Sequence, residues 1–283
     1  MMSDDLGPEY AAVSCYNSLK IGGGSHTLNR LNLKEVALAS NCSVDQYLNE
    51  ALPKYVQLMA ELMTARIKFL VEESNFFNSD WLVKEELISL DKFSAMFGIF
   101  GLAEAVNILM ERAGEPGKYG HSAASDDLGY LITSKVAELV AKIEMPYCEG
   151  NGGRAFMHSQ SGIDLDLDVT AGTRIPIGTE PDLFHHLKTV SRHHHLFASG
   201  ISDVLSFDET AVNNPQAVVD VIRGAFDAGM RDFTFNLDSN DFIRITGYLV
   251  RKSDLAKMPD ARHSSTKLGA GSVAGSFVDK RNL

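Results

Sequence analysis

Between residues 93 and 102 the chain carries one polar side chain: Phe93-Ser94-Ala95-Met96-Phe97-Gly98-Ile99-Phe100-Gly101-Leu102. A stretch this apolar belongs in an interior, and its embedded small residues let neighbouring backbone approach closely. It reads as a buried strand, or a close-packed turn, that runs into a helix over 103–113. Gly114 and Pro116 stop that helix. The same order returns near the end of the chain, where Pro215 opens a helix that Gly229 closes and 233–237 reads as a strand. Strands alternating with helices point to an α/β architecture.

Other helices are legible from their caps and apolar spacing. Ser43 and Gln46 have capping-box spacing, and Pro53 either kinks the helix they open or starts a second one. Tyr55, Leu58, Met59, Leu62, Ile67, Leu70 and Val71 then recur at helical intervals and predict an inward face. Asp80 is placed to cap a shorter helix reaching Leu90. Ser125 begins a helix with Leu128, Leu131, Ile132, Val136, Leu139, Val140 and Ile143 inward, ending before Pro146. Residues 149–180 are rich in glycine, with β-like pieces at 155–157 and 174–177. The chain after Lys257 reads as loop.

Bulk properties exclude several classes of function. A formal net charge of −11 over 283 residues, with no basic stripe, argues against nucleic acid or an anionic membrane as partner. No apolar run reaches the roughly 18 residues that a bilayer-spanning helix needs, and the acidic start Met1-Met2-Ser3-Asp4-Asp5 is no signal peptide. Three cysteines without metal-type spacing fit a reducing, cytoplasmic setting. Cys42 and Cys148 lie beside predicted helices and read as buried small side chains.

Two segments carry chemistry. In Phe242-Ile243-Arg244-Ile245-Thr246-Gly247-Tyr248-Leu249-Val250 a single glycine interrupts a strand-like run, which by itself reads as a bulge or a close backbone approach. Near the other end, Val13-Ser14-Cys15-Tyr16-Asn17 leads to the triplet Gly22-Gly23-Gly24. That segment begins so early that either the terminus is held by something else or the chain is the back part of a longer protein.

Arg244-Ile245-Thr246-Gly247-Tyr248 resembles the Arg-Val-Ser/Thr-Gly-Tyr loop of glycyl radical enzymes, and Val13-Ser14-Cys15-Tyr16-Asn17 resembles their cysteine loop. The similarity extends through 97–107 and 174–181 and is strongest to the short YjjI-like branch. It covers essentially the whole chain. The resemblance implies a single domain over 1–283, incomplete at its N-terminus, with 160–283 as the C-terminal glycyl radical region. The fold it implies is the C-terminal half of a ten-stranded α/β barrel, in which the Cys loop and the Gly loop meet.

The resemblance also implies roles. Gly247 would store a protein-derived radical, put there by a radical-SAM activating enzyme without oxygen. Cys15 would take the radical and abstract hydrogen from a small-molecule substrate. Arg244, Thr246 and Tyr248 would support the radical loop, with Asn17 and His26 as candidate substrate contacts. The residue types suit the chemistry. Glycine alone lets a Cα radical lie flat between two amides without crowding, and a thiol S–H is weak enough to exchange hydrogen with it.

Departures from better-known branches narrow the reaction. Ser14 stands where formate-lyases carry a second cysteine. Asn17 stands where glycerol- and choline-type eliminases carry a glutamate base. No cysteine follows Cys148, whereas anaerobic ribonucleotide reductases carry a zinc-binding cluster near the C-terminus.

The histidines His185, His186, His193, His194 and His195 read as polar packing or substrate contacts, and no bound metal is expected. Asp164, Asp166 and Asp168 read as a solvated strand or turn, and Gly22–Gly24 as a close backbone approach. Three readings follow: a glycyl radical enzyme; a non-catalytic fragment or one subunit of a split enzyme, working with a missing N-terminal half or a homodimer partner; and a divergent anaerobic ribonucleotide reductase.

Overall fold

The computed structural model describes residues 6–13, 16–115, 117–159, 169–176, 178–201, 203–208, 210–237, 242–245 and 248–251. At Asn236 and in the last two stretches the description is of backbone alone. The motif residues Ser14, Cys15, Thr246 and Gly247, the aspartates 164–168 and the tail after Arg251 lie outside the described residues.

β1 (Tyr10–Val13) and β2 (Asn17–Lys20) form an antiparallel hairpin in which Val13 faces Asn17. β3 (Ser25–Asn32), β4 (Ser94–Phe100) and β5 (Ala155–His158) then form a parallel sheet in the order β3-β4-β5. Beyond β5 a parallel bridge joins Ser159 to Ile201, just before β6 (Leu205–Phe207), which pairs in parallel with β7 (Phe235–Leu237). Parallel neighbours need crossovers, and helices supply them. α1 (Leu33–Ser40) and α2 (Leu52–Lys68) lie between β3 and β4, and α3 (Leu102–Ala113) and α4 (Ala123–Val140) between β4 and β5. α5 (Leu183–His194) precedes β6, and α6 (Pro215–Asp227) separates β6 from β7. The α/β reading holds. A second antiparallel hairpin, β8 (Phe242–Ile245) with β9 (Tyr248–Arg251), sets Ile245 opposite Tyr248.

All seven residues of β4 are buried, as the apolar run requires. Side chains alternate across a strand, so the sheet has two working faces. Ala95, Phe97 and Ile99 join Leu31 and the helices in the main core. Met96, Gly98 and Phe100 point to the opposite face. There Arg30 crosses Gly98, where a Cβ would come within 2.6 Å of its Cγ, and its guanidinium stacks 4.6 Å from the Phe100 ring.

Most helix signals hold. Ser43 and Gln46 make the full capping box, Gly114 ends α3 in the left-handed conformation, and Pro215 opens α6. α2 differs from expectation. A π-helical turn, Tyr47–Ala51, runs straight into it and a second one, Phe69–Glu73, follows. Its inward face is Leu52, Val56, Met59, Ala60, Met63 and Ile67, while Leu58 and Leu62 stay 49% and 52% exposed. Apolar residues on both flanks of this helix left the stripe ambiguous, and small or flexible side chains won the buried one. Leu131 of α4 is likewise exposed.

Three further expectations are corrected. The helix capped by Asp80 stops at Lys84. The helix expected from Ser125 starts earlier, at Ala123, capped by Ser122. Residues 174–176 form no strand. Arg174 N–H turns back onto the Ala171 carbonyl, and Pro176, which cannot donate to a ladder, accepts in a turn from Thr179.

Candidate active site

The cysteine segment belongs to the hairpin β1–β2, and the glycine segment to the hairpin β8–β9. In sequence, Cys15 falls between the paired residues Val13 and Asn17, and Gly247 between the paired residues Ile245 and Tyr248. Arg244 pairs with Leu249 across the second hairpin.

The first hairpin is fastened to the parallel strands along its length. Tyr10 donates to the Gly150 carbonyl at 2.6 Å and meets the Phe156 ring edge-on, so β1 lies on the sheet face that carries Met96 and Phe100. Ser18 and Ser199 share a buried hydroxyl–hydroxyl bond. The Tyr16 hydroxyl bonds the Thr234 hydroxyl at 2.6 Å, immediately before β7. Tyr16 itself has φ 63°, a left-handed conformation that bulky side chains avoid. Gly150, Ser199 and Thr234 come ahead of β5, β6 and β7 in the chain, so the hairpin bonds to the segments that lead into these three strands.

Behind the hairpin lies a group of buried charges that the sequence reading did not assemble. Arg174, Asp203 and His186 are all almost fully buried. His186 Nε2 lies 2.6 Å from Asp203 Oδ2, and Arg174 Nε lies 4.0 Å from Asp203 Oδ1. Burial draws the His186 imidazole down, but the charge and hydrogen bond of Asp203 outweigh it and hold the ring above its ordinary value. Burial would push Asp203 up, yet His186 and Arg174 keep it well below the carboxylate range. Burial lowers the Arg174 guanidinium, opposed by Asp203, by Tyr16 of the cysteine hairpin and by Asp232. Arg174 therefore lies close enough to Tyr16, the residue that follows Cys15, for each to sense the other's charge when both are ionised.

Other histidines of the cluster make polar contacts with neighbouring elements. His185 Nε2 meets Asp126 at 3.0 Å, and His193 Nε2 meets the buried Tyr119 hydroxyl at 3.2 Å. His194 Nδ1 accepts the Arg231 N–H at 3.1 Å and lies 3.3 Å from Asp232 Oδ1. Burial takes His194 down to about 4, while burial and the charge of Asp203 take Asp232 up to about 8. Because His194 Nδ1 accepts from Arg231, it has no proton to offer Asp232 across this contact. Among the described residues, no three His, Cys, Asp or Glu side chains gather to hold a metal ion.

His26 sits at the start of β3 in an aromatic box. Its ring lies 4.9 Å from Phe93 and 5.8 Å from Phe77, and its Nε2 contacts the Tyr147 carbonyl at 2.6 Å. Burial lowers its pKa. The glycine triplet does mark a close approach, against residues 92 and 93: a Cβ on Gly23 would lie 2.0 Å from the Lys92 carbonyl oxygen. The sequence could have hinted at Arg174, a charge set among apolar residues. Nothing marked Asp203, whose role depends on a helix and a turn from elsewhere in the chain.

A family model described as "Glycyl radical enzyme YjjI-like" matches residues 1–283. The YjjI protein of Escherichia coli (strain K12) is 48% identical over 274 residues, 96% of this chain and 52% of its own length. The chain thus spans about half the length of the curated relatives it matches. Among solved structures, an anaerobic ribonucleotide reductase is similar with a TM-score of 0.71 at 15% identity, over 92% of this chain and 48% of its own. A glycyl radical enzyme from Archaeoglobus fulgidus is similar with a TM-score of 0.65 at 11% identity, over 93% and 46%. At such identities the likeness is one of fold.

Proposed function

Because this chain belongs to the YjjI-like family of glycyl radical enzymes, we propose that it carries both radical positions of such an enzyme, Gly247 as the store and Cys15 as the hydrogen-abstracting residue. The reading is supported by one observation above others: these residues fall between the paired ends of two antiparallel hairpins, the first of them fastened to the segments that lead into β5, β6 and β7.

The proposed order of events balances in hydrogen atoms. A radical-SAM activating enzyme removes one α-hydrogen from Gly247. The Cys15 S–H bond then breaks and its hydrogen returns to Gly247, leaving a thiyl radical. The thiyl takes a hydrogen from a small-molecule substrate, and the product radical recovers it from the re-formed thiol. Arg244, Thr246 and Tyr248 hold the glycine loop. Asn17, paired to Val13 across the hairpin, is the candidate substrate contact. His26, boxed by Phe77 and Phe93, suits packing better. A site that excludes water and oxygen protects such intermediates, so the reaction is anaerobic and its setting cytoplasmic.

In this reading the parallel strands β3 to β7 form half of a ten-stranded barrel, and residues equivalent to the remaining length of the relatives, in the same or a second chain, complete it. The buried Arg174–Asp203–His186 group lies behind the hairpin that carries Tyr16, and Asp203 favours the charged form of His186.

The test is electron paramagnetic resonance under anaerobic conditions, after incubation with the activating enzyme and S-adenosylmethionine. The wild type gives a doublet, Gly247→Ala gives none, and admitted oxygen then cuts the backbone at residue 247. A doublet that survives in Gly247→Ala would overturn the assignment.

A further inference from the structure

Among the described residues, side-chain bonds from Tyr10, Tyr16 and Ser18 hold the cysteine hairpin, and one of them differs in kind. Tyr10 reaches a backbone carbonyl ahead of β5, and Ser18 pairs with Ser199 ahead of β6. The third joins Tyr16, the residue after Cys15, to Thr234, which starts the run through β7 towards the glycine hairpin. Thr234 is itself anchored, because its carbonyl accepts the N–H of Leu205 at 2.9 Å. β7 in turn packs against β8. A side-chain bond at 2.6 Å between residues 218 apart in sequence thus connects the cysteine segment to the run of chain that leads to Gly247.

The backbone of Tyr16 adds to this. A left-handed aromatic residue costs about 1–2 kcal/mol, and such strain persists only where its surroundings over-determine it. Here the surroundings are the Thr234 hydroxyl and the strand pairing of Val13 with Asn17.

We propose that the Tyr16–Thr234 bond is a latch between the two radical hairpins, and that both are positioning residues for hydrogen transfer between Cys15 and Gly247. The proposal rests on the radical assignment above. Hydrogen-atom transfer demands close, aligned partners, and a displacement of about 1 Å can cost on the order of a hundredfold in rate. Loss of the latch leaves each hairpin intact and loosens their relation.

Deuterium exchange reads that relation directly. The Gly247 radical keeps one α-hydrogen, which splits its resonance into a doublet. A Cys15 thiol exchanges S–H for S–D with heavy water, passes the deuterium atom to Gly247 and takes hydrogen back. The doublet then collapses to a singlet.

Wild type, Cys15→Ser, Tyr16→Phe, Thr234→Val and Thr234→Ser are activated in light water and moved to heavy water. The wild type collapses and Cys15→Ser keeps its doublet. Tyr16→Phe and Thr234→Val reach the wild-type radical yield but collapse at least about tenfold more slowly, and Thr234→Ser restores the rate. Collapse at the wild-type rate in Tyr16→Phe and Thr234→Val would overturn the latch alone. Radical yields falling in step with exchange would make the bond a general structural contact and overturn it too. If wild type and Cys15→Ser behave alike, the radical assignment fails, and the latch with it.

Discussion

His186 and Asp203 meet at 2.6 Å in the interior, with the Arg174 guanidinium on the other carboxylate oxygen at 4.0 Å. The one carboxylate is shared between the histidine and the arginine. Breaking a buried pair by removing one partner costs about 3–5 kcal/mol. Asp203→Ala therefore lowers stability by about that amount, read from the urea midpoint at constant slope. A loss under 1 kcal/mol would mean that Arg174 and His186 are neutralised by other groups.

His193 predicts an acid limit to stability. It is fully buried, and burial first, then Arg192, His194 and His195, bring it down to about 3. An unfolded histidine titrates near 6.5, so between pH 6.5 and 3 the unfolded chain binds a proton that the folded one refuses. Stability from this group is complete above about pH 6.5 and falls as pH drops. By pH 5 the loss is about 2 kcal/mol. His193→Gln retains a polar partner for Tyr119 and does not titrate, so its stability declines less between pH 7 and 5 by that difference.

Two glycines separate the effect of space from that of conformation. At Gly23 an added Cβ would meet the Lys92 carbonyl oxygen at 2.0 Å, a backbone atom that cannot swing away. Gly23→Ala is expected to cost about 3 kcal/mol. At Gly114, with φ +72°, a Cβ meets nothing within 4 Å. Gly114→Ala carries only the left-handed penalty of about 1 kcal/mol. Equal losses at the two sites, compared by thermal or urea unfolding, would contradict this account.

Cysteine reactivity gives a further check. Cys148 is buried, and burial, reinforced by Glu149, pushes its thiol up to about 12. At pH 8 it holds almost no thiolate, the reactive form. Iodoacetamide leaves Cys148 unmodified in the folded protein and labels it on unfolding, as peptide mass spectrometry would show. Cys148→Ala leaves the Gly247 doublet intact.

What could be read from the sequence depended on how local its causes are. The capping box at Ser43, the glycine stop at Gly114 and the buried strand at 94–100 are decided by neighbours along the chain, and all three appear as expected. The inward face of α2 is decided by its approach to β3, and there the reading favoured Leu58 and Leu62 over Ala60 and Met63. The two motif segments could be found because their residues resemble known loops, while the hairpin pairing around each was not read from the sequence. Arg174, Asp203 and Thr234 could not be joined to them, since each meets its partner only after a crossover brings distant segments together.

The two π-turns that bracket α2 give the chain an arithmetic of its own. Successive residues of an α-helix differ in direction by about 100°, and a π-turn absorbs one residue more than an α-turn would. Tyr47, whose hydroxyl donates to the Leu33 carbonyl at 3.1 Å, opens the first of these turns, and Met63 lies beyond it; both are fully buried. Deleting one residue of 48–51 would let that turn close as an ordinary α-turn, with Tyr47 and Met63 still facing the same interior. Deleting one residue between Leu52 and Met63, where the helix holds no spare, would rotate the two against each other by that angle. The extra residue thus works as slack in a gear train, absorbing a change of length that the regular helix would turn into rotation.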